Sequence, residues 1–550
     1  MKLAFIAAGI ALVVGAVLVL SRLRSRPLKV PVLWSEGESI YDFIQRNLDE
    51  TGAIAASAGD LPDESKRSKP GGLRWVAGGL DGAFGHHGSG EQTKQKAAEI
   101  SSLIGRIART GDAAAQRELY ELLQGNSVLD FLDAALEKIV QQRTPVTESL
   151  RSFALAIATG SPDREPVKFA ISLLGLIRDR RDVDVISLLG RHEEFTLYSA
   201  VALTNTLPEP EPALFDLAQR VHGWGRIHVV ERLADTKNAE IKRWLLLRGY
   251  DNIVMHEYLA FVCATSGDLD RALAAKDADG ETLKAATDLL RALIVGGPAR
   301  DINDYTQAAA VVSDYLRQIE NRSLELAYFG VVESIADYVG SSAWDSAARE
   351  RNGWSEERRQ AVLLSSQAYL KRPEWPDLVR RGLESEEWST FNEANNAAKR
   401  LGIDTWQTHW RRVQADPTDA SRWFQVMAQA NAERIDGIVD LAASTIPLRQ
   451  IASGPSDSMG LGPEFKSHSA LDMVLQSLDR FSGKGKPLVL AGLRSPVIRN
   501  RNMAIKALAG WRADDRDAEI LTALRRASAE EPQADVKARI ERVIAGESLN

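Results

Sequence analysis

Residues 488–508, LVLAGLRSPVIRNRNMAIKAL, and residues 524–544, LRRASAEEPQADVKARIERVI, decide the fold of this chain. Leu488, Ala491, Arg501, Ala504, Ala507 and Leu508 each stand 36 residues before Leu524, Ala527, Lys537, Ile540, Val543 and Ile544. Apolar positions match apolar ones, and the basic position matches a basic one. Inside each copy the apolar residues recur at the spacing of one helix face. Each copy therefore holds two helices, LVLAGL then RNRNMAIKAL, and ILTALRRA then DVKARIERVI. A unit that cannot bury its apolar stripe alone must stack on its neighbour.

The same texture extends toward the N-terminus as far as about Glu91. QKAAEISSLIGRIART, SVLDFLDAALEKIV, SLRSFALAIATG, EPVKFAISLLGLIRD and EPALFDLAQRVHG are apolar stripes that stop at Gly, Pro, Asn or Asp. No stretch alternates as strands do. Ala154, Ala156, Ala158, Ala200 and Ala202 give faces on which helices can approach closely. The expected fold is all-α, an α-solenoid of stacked helical hairpins. Two helices per unit, with a basic residue opening the second, resembles a HEAT-type repeat, closely over residues 485–547 and more loosely over 91–300. That resemblance implies an extended curved surface that binds other macromolecules.

Composition sets outer limits. A chain of 550 residues that is 44% hydrophobic and 26% charged is a folded protein, long enough for several domains. The 68 Lys and Arg against 75 Asp and Glu give a net charge of −7, which argues against a general nucleic-acid binder. Cys263 is the single cysteine, so no intramolecular disulfide and no CxxC pair exists.

Residues 3–20, LAFIAAGIALVVGAVLVL, are apolar or small throughout. As a helix they span about 27 Å, close to a hydrocarbon core of roughly 30 Å. Only Lys2 precedes them, and no A-x-A-like cleavage site follows. Arg22, Arg24, Arg26 and Lys29 flank the C-terminal side, which by the positive-inside rule keeps the body in the cytoplasm. The expectation is a single-pass anchor; the alternative is export after cleavage near residue 20. Behind it, Ile40, Phe43, Ile44 and Leu48 suggest an amphipathic helix within 36–56, and GDLPDESKRSKPGG, residues 59–72, reads as an exposed linker. The organisation expected is an anchor with basic flank over 1–27, then a juxtamembrane helix, linker and Gly-rich loop over 28–90. A helical repeat region over 91–340, a Trp-rich helical region over 341–452, a loop and connecting helix over 453–484, and HEAT-like repeats over 485–550 follow.

Three stretches invite a chemical reading. The segment 71–90, GGLRWVAGGLDGAFGHHGSG, has eight glycines; its amides suit an anion nest, with Arg74 and Trp75 as binding candidates. Asp81, His86 and His87 are the candidate ligands for a possible divalent metal. The segment also lacks GxxxxGK[ST], and no strand precedes it. The second stretch, SGPSDSMGLGPEFKSH at 453–468, offers Asp457, Glu464, Lys466 and the binding candidate His468 in a long loop. The third, Leu493 to Asn502 and on to Lys506 and Arg512, carries Arg499 and Arg501, and several cations on one ridge suit phosphate or an acidic peptide. The competing reading makes these cations ties between repeats, with Asp514, Asp515 and Asp517 as partners.

Seven of the twelve tryptophans fall at Trp344, Trp354, Trp375, Trp388, Trp406, Trp410 and Trp423, either as core anchors or as an aromatic groove. The remaining histidines read as satisfied polar residues, Cys263 as a buried small hydrophobe, and no catalytic pair or GxSxG elbow stands out. The functional expectation is a membrane-anchored helical-repeat scaffold that holds a protein partner on the cytoplasmic face of a bacterial-type membrane, with no nucleic acid and no cofactor. The alternative is an enzyme or metal-dependent effector with its site at Asp81, His86 and His87.

Overall fold

The computed structural model describes residues 30–34, 37–67, 77–79, 91–345, 349–547 and 549. Among them the chain is all-helical; its only β pairings are the isolated bridges Leu48↔Ile54 and Ser458↔Val497. None of the described helices is long and apolar enough to cross a membrane. The apolar run 3–20 lies outside the described residues. The chain divides into two compact units, the first continuing to Trp375 and the second beginning at Pro376.

The first described helix of the first unit is α1, Ile40–Arg46, capped by Ser39, whose Oγ accepts from the Asp42 N–H at 3.0 Å. It is shorter than the 36–56 stripe predicts. Asp49 Oδ1 accepts from the N–H groups of Thr51 (2.8 Å) and Ala53 (3.1 Å), closing a turn that the helix cannot continue through. Helices α2 (Glu148–Gly160), α3 (Arg164–Ile177), α4 (Glu193–Thr206) and α5 (Gly223–Glu231) then pack each on the next. Phe153, Ile157, Phe169, Leu174, Phe195 and Leu203 are fully buried between them. The α3–α4 crossing is close because Gly175 faces Ala202: a Cβ at Gly175 would stand 2.6 Å from the Ala202 Cα. Gly175→Val is expected to lower the unfolding free energy by about 2–3 kcal/mol through overpacking. Denaturant midpoints at unchanged slope are the readout; a cost below about 0.5 kcal/mol would show that the two helices are not wedged together there.

The second unit ends in three helical hairpins. They are α6 (Ile435–Thr445) with α7 (Lys466–Leu475), α8 (Lys486–Leu493) with α9 (Ile498–Gly510), and α10 (Ala518–Glu530) with α11 (Ala534–Ile544). First helices pack on first helices, α6 on α8 and α8 on α10; second helices pack on second, α7 on α9 and α9 on α11. One continuous core runs through all three, including Ile438, Leu471, Leu488, Leu508, Leu524 and Ile540. The apolar pairs of the 36-residue register are buried or nearly so in both copies. The basic pair diverges: Arg501 is 1% exposed, while Lys537 lies at the surface.

The tryptophans serve mainly as core anchors. Trp375 and Trp423 are fully buried, with indole N–H groups donating to Tyr369 O and Pro417 O at 2.8 Å. Trp354 is also buried, whereas Trp388 is 61% exposed. Cys263 is buried, and desolvation pushes its thiol well above the usual range.

Candidate functional site

The second and third sequence candidates meet in the second unit. The loop after the short helix Leu448–Ile451 lies along the α8–α9 turn: the Gly454 N–H donates to Arg494 O (2.9 Å), Ser456 Oγ to Pro496 O (3.1 Å) and the Ile498 N–H to Ser458 O (3.0 Å). The loop is shorter than its composition suggests. A turn of helix at Pro463–Phe465 leads straight into α7, so His468 stands on a helix. His468 Nδ1 lies 3.1 Å from Ser495 Oγ and 2.9 Å from Asn500 Oδ1. Asn500 Nδ2 donates back to His468 O (2.8 Å) and to Asp472 Oδ1 (2.6 Å), and Arg499 Nε pairs with Asp472 Oδ2 at 3.0 Å. Burial pushes Asp472 up to about 6 against the pull of Asn500 and Arg499. Ser495 is fully buried in the α8–α9 turn, and its contact with His468 fastens α7 to that turn.

Arg501 is the deepest of the candidates. Its Nε and Nη2 pair with Glu531 Oε2 and Oε1 at 2.7 and 2.8 Å, and its Nη1 donates to Ser495 O and Pro496 O at 2.9 and 3.0 Å. Both side chains of the pair are 1% exposed. The tie between neighbouring hairpins thus runs to Glu531, in the α10–α11 turn. Of the acids at 514–517, Asp515 does pair with Arg512 of that ridge (2.8 Å), and Asp517 pairs with Lys486 (2.5 Å), but neither reaches Arg501.

On the first-helix side of the same three hairpins lies an open groove of about 1140 Å³. Ile446, Leu448, Leu490, Ala491 and Ala523 form its floor, and Arg449, Arg494, Arg526 and Glu519 its rim. Glu519 is held by Lys486 at 2.6 Å, and Arg526 by Glu530 at 2.8 Å. Arg449 and Arg494 are exposed, and among the described residues neither has a carboxylate within ion-pair distance. Composition gave no sign of this groove. Ala491 stands in the repeat register as an apolar position, and only the stacking of three hairpins makes it part of a floor.

The first unit holds a buried charged node that the sequence reading also missed. Arg164, opening α3, donates from its backbone N–H to Asp63 Oδ2 (3.0 Å), from Nε to Asp63 Oδ1 (2.9 Å) and from Nη2 to Glu64 Oε2 (2.5 Å). Lys168 Nζ, one turn further, lies 2.6 Å from Glu194 Oε1 and 3.4 Å from Glu165 Oε1. The Gly78 N–H donates to Glu194 Oε2 at 3.0 Å. Within the expected linker 59–72, Asp60, Ser65 and Lys66 are exposed but Leu61 and Asp63 are buried, because Arg164 inside the body needs a counter-charge; residues 68–72 lie outside the described residues. Burial raises the Glu194 carboxyl, but Lys168, the Gly78 N–H and Arg164 outweigh it and hold Glu194 at about 2. Neighbouring Glu193 is pushed up to about 7 by burial, which outweighs the pull of the Trp224 N–H and of Arg226. His192 is driven down to about 4 by burial, and its Nδ1 accepts from the Glu194 N–H as the α4 cap (3.3 Å).

Arg74, Trp75, Asp81, His86 and His87 lie outside the described residues. Among the described ones, no three His, Cys, Asp or Glu side chains are grouped to hold a metal ion. No protein-family model matches the chain, and no curated protein matches it.

Proposed function

We propose that the chain is a membrane-tethered, HEAT-like α-solenoid scaffold that holds a protein partner at the cytoplasmic face of the bilayer. The groove carries this reading: it crosses three successive hairpins, has an apolar floor and charged rim, and lies open to a chain-like ligand. Neighbour-on-neighbour packing of first and second helices supports the solenoid assignment. The apolar run 3–20 and its flank of Arg22, Arg24, Arg26 and Lys29 support the anchor and its orientation.

Two measurements on the full chain test this. Membranes from expressing cells are washed with alkaline carbonate; the full chain is expected to stay in the pellet, and a variant lacking residues 3–20 to move to the supernatant. Full chain released by carbonate would remove the anchor from the reading. In parallel, in-cell cross-linking from a photo-reactive residue placed at Thr522 in the groove is expected to give one discrete adduct. Adducts equally from a control site outside the groove, or none, would remove the scaffold.

A further inference from the structure

We infer that the groove across α6, α8 and α10 takes an acidic amphipathic segment of a partner polypeptide, with Arg449 and Arg494 receiving its carboxylates. This inference rests on the scaffold reading above and names the chemistry of the partner.

The floor selects for apolar side chains. Ile446, Leu448, Leu490 and Ala523 present carbon to the groove from three different hairpins, so an occupant gains by laying several apolar groups along them. The rim selects for sign. In a chain of net charge −7, the groove carries three guanidiniums against one carboxylate, and that carboxylate is already neutralised by Lys486. Arg526 is occupied by Glu530 in its own helix. Arg449 and Arg494, which close the first and second hairpins' first-helix layer, are left with charge that no carboxylate among the described residues answers, beside an apolar surface. Guanidinium forks match carboxylates two bonds at a time, and a neighbouring low-dielectric wall strengthens the match.

Other occupants fit less well. The chain's own apolar segment 3–20 carries Arg22, Arg24 and Arg26 behind it and would set cation against cation. Single-stranded nucleic acid needs stacking rings, and the groove lining holds no aromatic residue. A small ligand wants enclosure, which an open trough over three hairpins does not give.

The test uses the full chain in detergent micelles and a fluorescein-labelled helical peptide of Glu, Leu and Ala, roughly four turns long, with Leu on one face and Glu beside it. Fluorescence anisotropy is expected to show saturable binding. The same peptide with Gln for Glu is expected to bind about tenfold more weakly, and with Lys for Glu weaker still. Arg449→Gln with Arg494→Gln is expected to lose the same factor at unchanged Tm, and Thr522→Trp to block the groove. Equal binding of the acidic, neutral and basic peptides, or full binding by the double arginine variant, overturns the inference. So does a concentration-dependent dimer that the peptide displaces, since the occupant would then be a second copy. If these arms fail while cross-linking from Thr522 still gives its discrete adduct, the partner chemistry is wrong and the scaffold stands. If that adduct is missing as well, both fall.

Discussion

Replacing Arg501 with Ala is expected to lower the stability of the second unit by roughly 3–5 kcal/mol, the cost of leaving a buried charge without its partner. The side chain supplies four contacts within 3.0 Å, two to Glu531 and two to the carbonyls of Ser495 and Pro496. Its loss strands a carboxylate that is 1% exposed and two turn carbonyls at once. Hydrogen exchange followed over α8 to α11 is the right readout, because it reports opening of this unit separately from the first. Arg501→Met combined with Glu531→Leu is expected to recover most of the loss, since an apolar pair of similar size avoids the desolvation of two ions. A single variant costing less than about 1 kcal/mol would show that Glu531 finds solvent or another cation. Failure of the double variant to recover would place the energy in the Ser495 and Pro496 carbonyls instead.

The position of Arg501 was legible and its partner was not. The 36-residue register singled out a basic residue at 501 and again at 537, and the first ties two hairpins. The sequence, however, offered three acids at 514, 515 and 517 that are nearer along the chain than Glu531. Distance along the chain misleads here because α9 runs back beside α11, so the turn before α11 lies closest to the start of α9. Lys537 fits the register equally well yet stays at the surface, because a register fixes which face a residue occupies and not whether a carboxylate waits opposite it. His468 and Arg499 were read as binding candidates from residue type alone. Asn500 and Asp472 engage both, and no periodicity could have announced that junction. The helices themselves were readable because their apolar stripes answer to a period. Grooves and ion pairs depend on what the next hairpin brings, and that information is non-local.

The same reasoning explains the misread linker and yields the second large effect. GDLPDESKRSK looks solvated because six of its eleven residues are charged, yet Asp63 and Glu64 turn inward to Arg164. The signal that was present lies in α3, where EPVK places Glu165 and Lys168 on a stripe otherwise apolar; an ion at such a position demands partners. Lys168→Met is therefore expected to destabilise the first unit by roughly 3–5 kcal/mol at pH 7.5, leaving Glu194 buried with only the distant Arg164 (3.9 Å) and the Gly78 N–H. The pH dependence carries the diagnosis. In the native chain the Glu194 carboxyl sits at about 2, so its contribution is complete above about pH 4.5 and is lost only as pH falls toward 2. Without Lys168, burial dominates and raises the carboxyl; the folded variant then takes up a proton that the unfolded chain does not, and gains stability as pH falls from 7.5 toward 5. The gap between variant and wild type is thus expected to narrow over that window, read from urea midpoints by circular dichroism at the two pH values. A gap of constant size would mean that Lys168 acts through packing on Tyr198, whose ring lies 5.7 Å from its Nζ, and not through charge. Adding Glu194→Gln to Lys168→Met separates the two further. If charge is the cause, the double variant regains stability at pH 7.5 and its gap to wild type no longer changes between the two pH values; if packing is the cause, the stability is not regained.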